Sequence, residues 1–238
     1  MTSVLDSRPA RRPAGRAGRP TDPSRSSATR ILVVDDHPAV RWGLVQLLED
    51  QRDLEVAVVA TTAEAAVGQA ENDTIDVAVV DYQLGGRNGL WATRKLRALP
   101  APPRVVVFSA FANDHLAANC IVAGAHALLS KSSLGEELCS TIRTVAHGRV
   151  LIRRVPSAMV QLLGGRLDQE EQITFGMLLA RLPESEIQRV LAVSGEELMR
   201  RRARILAKLE ALPGEAPGDE GNRRRERAVS SYLGVERC

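Results

Sequence analysis

The chain has 238 residues, of which 44% are hydrophobic, and a formal net charge of +3. This length suffices for two small domains, and the apolar fraction is ordinary for a globular protein. No apolar stretch is long enough to span a bilayer, and the N-terminus lacks the apolar core of a secretory signal. The three cysteines are scattered without metal-ligand spacing, so we expect a reducing, cytoplasmic setting and no membrane partner.

Charge is unevenly distributed along the chain. Basic residues are concentrated near both ends, and residues 1–29 combine Arg, Pro, Ser, Ala and Gly with few apolar side chains. Low hydrophobicity with excess charge is typical of disorder, so we predict that residues 1–29 form a disordered basic leader. Basic ends indicate an anionic partner, although they also occur simply as solvated tails.

From residue 30 onward, short β-branched runs alternate with segments of helical periodicity. The predicted strands are residues 31–34, 56–60, 75–80, 104–108 and 127–129, and the predicted helices begin at Pro38, Ala63, Leu90, Asp114 and Leu134. This alternation predicts an α/β fold with one five-stranded parallel sheet and right-handed crossovers. In the flavodoxin-like strand order, the first and third strands are neighbours.

Three carboxylates follow these two strands. Asp35 and Asp36 end the first strand and Asp81 ends the third, so neighbouring carboxyl ends would bring the three acids together. An acid after a strand also often caps the next helix or turn. Capping would explain the presence of one of these three acids well, but the presence of all three poorly. Like charges at short range repel, and Mg²⁺, which prefers oxygen ligands, relieves that repulsion. We therefore predict a Mg²⁺ site at this edge.

Two further polar residues end strands at the same edge. Ser109 follows the fourth strand and Lys131 follows the fifth. A hydroxyl, an ammonium and a metal ion converging on one carboxylate suit formation of an acyl phosphate, with Asp81 as the nucleophile. Mg²⁺ and Lys131 would neutralise the charge of the transferred group, and Ser109 would donate to a phosphoryl oxygen.

This region resembles the receiver domain of response regulators over residues 30–148. The similar stretches are ILVVDDHPAVRWGLVQLLE, VAVVDYQLGGRNGL, VVVFSAF and GAHALLSK. The resemblance implies phosphorylation by a sensor histidine kinase. The residues it assigns to the site are Asp81 (the phosphoacceptor), Ser109 and Lys131, and, as Mg²⁺ ligands, Asp35, Asp36, Asp81 and the backbone carbonyl of Gln83.

Two departures from the family pattern lie near this site. Leu128 stands where the family usually has an aromatic residue, and Leu84-Gly85 replaces the usual Met-Pro after the acceptor. Leucine cannot rotate inward as an aromatic gate does, so we expect altered coupling between the phosphate and the surface. The alternative is a pseudo-receiver in which the acids have only a structural role and Asp81 is not phosphorylated.

The pattern becomes purely helical after a transitional linker at residues 149–166, which contains a short helix. Residues 170–182 and 184–192 are predicted helices, and the first places the apolar Ile173, Met177 and Leu178 on one face, which we expect to face inward. A third helix begins after Ser194, where Glu197 would complete a capping box. A short helix, a tight turn and a longer basic helix predict a helix-turn-helix at residues 167–212. Residues 213–238 read as a loop and a C-terminal helix.

The segment from Leu167 to residue 212 is similar to the NarL/LuxR-type output domain without gaps. Leu198, Ile205 and Leu209 form the predicted inward face of its last helix. The basic residues predicted to bind DNA are Arg200, Arg201, Arg204 and Lys208. The family pattern is broken at Gln188, Met199 and Arg202. A basic solvated face on a bundled helix is the competing interpretation.

The resemblance as a whole implies a DNA-binding response regulator that controls transcription, binds DNA as a homodimer when active, and is not an enzyme. The alternative is an atypical or pseudo-receiver whose C-terminal helices bind a protein partner instead of DNA. A stand-alone Mg²⁺ phosphatase or phosphotransferase is disfavoured, because such enzymes commonly carry an acid two residues after the nucleophile, where Gln83 stands.

Overall fold

The computed structural model describes residues 28–133 and 135–211, which form one parallel sheet, its flanking helices and a C-terminal group of helices. The strands are β1 (Thr29–Val34), β2 (Leu54–Ala60), β3 (Val77–Asp81), β4 (Arg104–Ser109) and β5 (Ala127–Ser130). The helices that alternate with them are α1 (Pro38–Glu49), α2 (Ala63–Ala70), α3 (Gly89–Arg97), α4 (Asp114–Ala123) and α5 (Gly135–Ala146). The C-terminal helices are α6 (Ser157–Gly164), α7 (Gln169–Leu179), α8 (Glu184–Leu191) and α9 (Gly195–Glu210).

The sheet has the strand order β2-β1-β3-β4-β5, and every pair is parallel. The predicted flavodoxin-like sheet is therefore confirmed, including the pairing of β1 with β3. Successive side chains of a strand point to opposite faces. Ile31 and Val33 accordingly pack with α1 and α5 on one face, whereas Leu32 and Val34 pack on the face that carries α2, α3 and α4.

Side-chain caps fix the starts of three helices beside the sheet. The side chains of Thr62, Asn88 and Asn113 each accept a backbone N–H bond from the residue three positions on, and begin α2, α3 and α4. Helix α4 ends at Gly124, which has φ +88°, a left-handed conformation that glycine adopts without a Cβ penalty.

The C-terminal helices extend the core on the α4 side of the sheet. Helices α7 and α9 pack against α4, and Phe175, Ile187 and Ile205 belong to the same apolar cluster as Leu116 of α4. Two polar contacts tie the end of α9 to this face: His115 Nε2 lies 3.1 Å from the Leu209 carbonyl, and the Asn88 amide donates to Glu210 at 2.8 Å. None of the helices among the described residues is both long and apolar enough to cross a membrane.

The three helices predicted after residue 167 are present, with corrections. Helix α7 ends at Leu179 and not at residue 182, because the chain turns through Arg181 in the left-handed region (φ 59°). Its buried face contains Phe175 and Leu178, whereas Ile173, predicted to face inward, is 48% exposed. Leu178 is buried and Met177 packs against the core as predicted, so only Ile173 is misplaced. Helix α7 packs against two helices, α4 and α9, and Thr174 and Phe175 are buried instead of Ile173.

The turn before α9 has the predicted cap but only half of the predicted capping box. Ser194 accepts from the Glu197 N–H at 3.1 Å. The Glu197 carboxylate instead accepts from Arg200 and Arg204. The complete capping box is at α7, between Asp168 and Glu171. The predicted leader lies outside the described residues except for its last two positions, and the second of these, Thr29, begins β1, so the predicted boundary is wrong at that residue. Residues 213–238, with Cys238, also lie outside the described residues.

Candidate functional site

The carboxyl ends of four neighbouring strands bring the predicted pocket residues to one edge of the sheet. Asp35 follows β1, Asp81 ends β3, Ser109 ends β4 and Lys131 follows β5, and all four are buried. The Lys131 N–H donates to the Ser109 carbonyl at 2.8 Å, so the ends of β4 and β5 are directly joined. The parallel register therefore assembles residues that lie almost a hundred positions apart in sequence.

Lys131 is the counter-charge of the two buried acids. Its Nζ lies 2.6 Å from Asp35 Oδ2 and 2.9 Å from Asp81 Oδ2, and its side chain is only 9% exposed. The ammonium also lies over the Phe108 ring, 5.9 Å from its centroid. The other oxygen of Asp81 accepts from the Gln83 N–H at 3.1 Å. These contacts orient the Asp81 carboxylate at the edge of the sheet.

Asp36 occupies the outer part of the pocket. Its Oδ2 accepts from the Gly85 N–H at 3.1 Å, and its Oδ1 lies 2.7 Å from His37 Nδ1. The His37 N–H in turn donates to Asp35 Oδ1 at 2.8 Å. His37 is a pocket residue that the sequence reasoning missed. The signal was its position between the acidic pair and Pro38, which opens α1.

The donor set at this edge fits a hard divalent cation. Ligand atoms of Asp35, Asp36, His37 and Asp81 all lie within 4.8 Å of one another. Three carboxylates with exposure on the Asp36 side suit Mg²⁺, which binds a few carboxylates and keeps several waters. A bound Mg²⁺ would neutralise charge on a transferred phosphoryl group. Gln83 follows Asp81 by two residues, and the role of its carbonyl as a ligand stays a prediction.

Ser109 and Leu128 lie next to this pocket. The Ser109 hydroxyl accepts from the Phe111 N–H at 3.1 Å, which fixes the side chain at the end of β4. Leu128 in β5 pairs with Val107 and packs at the margin of the core. Asp81 pairs in register with Phe108, directly before Ser109. A flavodoxin-like sheet with an acid–lysine pocket at its carboxyl edge is the architecture of a receiver domain.

The second candidate site is the exposed face of α9. Arg200, Arg204 and Lys208 recur every four residues, and their side chains are 57%, 50% and 42% exposed. Helical periodicity therefore places three of the four residues predicted to bind DNA in one stripe. Arg201, the fourth, is 10% exposed and lies against α7, where it pairs with Glu170 at 2.9 Å. We name Arg200, Arg204 and Lys208 the cationic stripe.

Each member of the cationic stripe has acidic partners within the chain. Arg200 pairs with Glu196 at 2.7 Å and Arg204 with Glu197 at 3.2 Å, while Lys208 contacts both Glu171 and Asp168. Hydrogen bonds from Arg200 and Arg204 lower the pKa of Glu197, and hydrogen bonds to the acids of α7 raise the pKa of Lys208. These acids are the residues that reasoning from the basic pattern missed.

Known proteins resemble this chain in both sequence and structure. The family described as the response regulator receiver domain matches residues 31–143. The response regulator UvrY of Escherichia coli K12 is 32% identical over 164 residues, or 69% of this chain and 73% of UvrY. The DNA-binding transcriptional activator DevR/DosR of Mycobacterium tuberculosis is 28% identical over 190 residues, or 76% of this chain and 88% of DevR/DosR.

Among solved structures, a LuxR-family two-component response regulator from Aurantimonas sp. SI85-9A1 is 32% identical with a TM-score of 0.51, covering 57% of this chain and 94% of that one. The match to UvrY extends beyond the receiver, since 164 residues exceed the length of the receiver match. The chain belongs to the two-component response regulators of the LuxR/NarL type.

Proposed function

We propose that this protein is a phosphorylation-controlled regulator of transcription, with a receiver at residues 30–148, a linker at 149–166 and an output domain at 167–212. The observation that carries the proposal is the contact of one buried lysine with two buried aspartates at the carboxyl edge of the sheet. This arrangement suits a carboxylate nucleophile that must hold a dianionic group. The partners would be a sensor histidine kinase and double-stranded DNA.

In the proposed reaction, an oxygen of the Asp81 carboxylate attacks the phosphorus of a phosphohistidine or of acetyl phosphate. The new P–O bond forms as the bond to the donor nitrogen or acetate oxygen breaks, and the donor group leaves with the bonding electron pair. Lys131 neutralises charge on the transferred oxygens, and the Ser109 hydroxyl donates a hydrogen bond to one of them. The aspartyl phosphate adds close to two negative charges to the pocket at neutral pH and biases the receiver between two states.

Acetyl-phosphate labelling tests the receiver half of the proposal. Full-length protein with Mg²⁺ should incorporate one phosphoryl group, and Asp81→Asn should incorporate none. Asp73→Asn is the matched control, because Asp73 is a carboxylate bound to Arg30 at the opposite end of the strands. Equal labelling of wild type and Asp81→Asn would contradict the assignment, and absence of labelling in both would favour a pseudo-receiver.

The cationic stripe supports DNA binding by the output domain. A helix with three exposed cations on one face, preceded by a short helix and the three-residue turn 192–194, has the form of a helix-turn-helix. DevR/DosR, a relative of this chain, is described as a DNA-binding transcriptional activator. The exposed stripe would contact phosphates, so binding should weaken steeply as salt rises.

DNA binding is measured by fluorescence anisotropy with the phosphorylated full chain and duplex DNA from its own promoter region. Arg200→Ala with Arg204→Ala should weaken binding roughly tenfold and flatten its salt dependence. Arg52→Ala, an exposed arginine before β2, should leave binding unchanged. No DNA binding at low salt would contradict this half of the proposal while leaving the labelling result intact.

Protein binding by the output helices is the second candidate function, and one observation favours it. Residues 167–211 contain eight acidic and seven basic side chains, so the described output region has no excess positive charge. The acids pair with the cationic stripe and would compete with DNA phosphates for it. DNA affinity that is insensitive to Arg200→Ala and Arg204→Ala would favour this candidate.

A further inference from the structure

A cleft of about 320 Å³ lies between α3 of the receiver and the output helices α8 and α9. The phosphorylation chemistry does not account for it, and Arg200 is the one member of the cationic stripe that lines it. Its polar lining includes Arg94, Lys95 and Arg97 from α3 and Glu184, Arg200 and Arg202 from α8 and α9. We name this feature the α3–α9 cleft.

Positive charge exceeds negative charge in the α3–α9 cleft. Five cations line it, and its two carboxylates, Glu184 and Glu196, are already paired with Arg202 at 2.8 Å and Arg200 at 2.7 Å. Among the described residues, no carboxylate forms an ion pair with Arg94, Lys95 or Arg97. The α3 side of the cleft therefore presents three cations without a bonded counter-charge.

Two arginines from opposite sides of the cleft converge at Gly124. A Cβ atom built on this glycine would lie 3.3 Å from Arg202 Nη1 and 3.5 Å from Arg97 Cγ. The Nε of Arg202 is buried and has no hydrogen-bond acceptor among the described residues. Burial lowers the pKa of Arg97; Glu184 opposes this shift, and Arg104 and Arg202 add to it. Burial also lowers the pKa of Arg202, again opposed by Glu184. Like charges are thus held close together in a partly desolvated place.

The rest of the lining is apolar. Ala98, Ala123 and Leu198 contribute to the wall between the charged groups. Guanidinium groups match phosphate oxygens through paired N–H donors, and several cations favour an anion with more than one charge. The volume exceeds that of a lone phosphate ion, so an organic body can lie against the apolar wall.

We propose that the α3–α9 cleft binds a small organic phosphate carrying two or more negative charges. The ligand's phosphate groups would contact the α3 cations and Arg202, and its organic body would lie over the alanines. Because the ligand touches the receiver and the output helices together, it stabilises the arrangement in which α9 packs against α4. By linkage, any event that separates these helices lowers the affinity for the ligand.

Isothermal titration calorimetry of the full chain with adenosine 5′-diphosphate, and separately with pyrophosphate, tests this proposal. Both titrations are made at constant ionic strength in excess EDTA, so that no metal ion carries the probe to the aspartate pocket. Wild type should bind adenosine diphosphate at one site. Arg94→Gln with Arg97→Gln should weaken binding at least tenfold, as should Lys95→Gln with Arg94→Gln.

The second double variant spares the more buried Arg97, because Lys95 is exposed and Arg94 is half-buried, so it keeps the test valid even where Arg97→Gln disturbs packing. Arg149→Gln, which removes one exposed positive charge outside the cleft, should bind within twofold of wild type. Absence of binding up to millimolar probe, equal binding by wild type and both double variants, or an equal loss in Arg149→Gln overturns the proposal. Duplex DNA binding that the double variants weaken, without adenosine diphosphate binding, also overturns it and assigns the cleft to DNA. Since the readout needs neither Mg²⁺ nor phosphorylation, its failure is distinct from failure of the proposed function.

Discussion

Replacing Lys131 by alanine is expected to destabilise the receiver strongly in the absence of divalent metal. Lys131 is the shared counter-charge of Asp35 and Asp81, at 2.6 and 2.9 Å, and the two acids are 0% and 2% exposed. Removal of one partner from a buried ion pair typically costs about 3–5 kcal/mol, because a charge is left buried without compensation. For a chain of this size that corresponds to a fall in Tm of roughly 6–20 °C.

The measurement is urea unfolding of wild type and Lys131→Ala in EDTA and again in 10 mM Mg²⁺. Mg²⁺ bound to the same carboxylates would replace much of the missing charge, so the gap between the two proteins should narrow in Mg²⁺. Asp81→Asn in the Lys131→Ala background should recover part of the loss, because it removes one of the two uncompensated charges. A loss below about 1 kcal/mol in EDTA, or a difference between the two proteins that Mg²⁺ leaves unchanged, would show that Lys131 is not the main counter-charge of Asp35 and Asp81.

Three further outcomes follow from particular contacts. Burial, with Arg97 and Arg104 nearby, lowers the pKa of His126 from 6.5 to about 3. Below pH 6.5 the unfolded chain therefore takes up a proton at His126 that the folded chain does not. Between pH 6.5 and pH 5 the free energy of unfolding should fall by roughly 2 kcal/mol more in wild type than in His126→Gln. Urea titration at each pH measures this difference. Glu197→Gln should raise DNA affinity about threefold in the anisotropy assay, because it removes the negative charge of a half-buried partner of the cationic stripe. Gly89→Ala should abolish acetyl-phosphate labelling and lower Tm, because a Cβ there would lie 2.2 Å from the Asp81 carbonyl oxygen.

Controls separate these effects from general damage. Gly68→Ala is the counterpart of Gly89→Ala, since a Cβ at Gly68 meets no atom within 4 Å and should raise helix stability by about 0.5–1 kcal/mol. Normal labelling of Gly89→Ala would contradict the close approach at Asp81. An identical pH dependence in wild type and His126→Gln would show that His126 gains a proton in the fold. Unchanged DNA affinity in Glu197→Gln would favour a protein partner for the output helices.

Much of the receiver fold was predictable from local signals. Strands β1, β3 and β4 are β-branched runs that end at, or directly before, a polar side chain. The helix caps Thr62 and Asn113 are short polar residues at the positions where caps are expected. Because parallel strands share a carboxyl edge, the strand order was enough to bring Asp81 and Lys131 together in the prediction. The sequence bounds were too short at several strand ends, where pairing with neighbours extends the regular backbone.

In the C-terminal helices, local signals do not predict which side chains are buried. The four residues of α9 predicted to bind DNA are all basic in the sequence, yet Arg201 is buried against α7 and the other three are exposed. That difference is set by what packs against α9, and periodicity alone does not reveal a second packing partner. Ile173 was misplaced for the same reason, since α7 contacts α4 as well as α9.

The sequence alone was enough to predict the alternation of strands and helices, the acids at the strand ends, and the caps and turns of the C-terminal helices. These features depend on local propensity and on a sheet topology that follows general rules. Three features are visible only in the folded protein: α9 packs against α4, acidic side chains form ion pairs with the cationic stripe, and α3 and α9 enclose a positively charged cleft. Such contacts join surfaces far apart in the chain, and their free energies depend on distances and burial that no local pattern encodes.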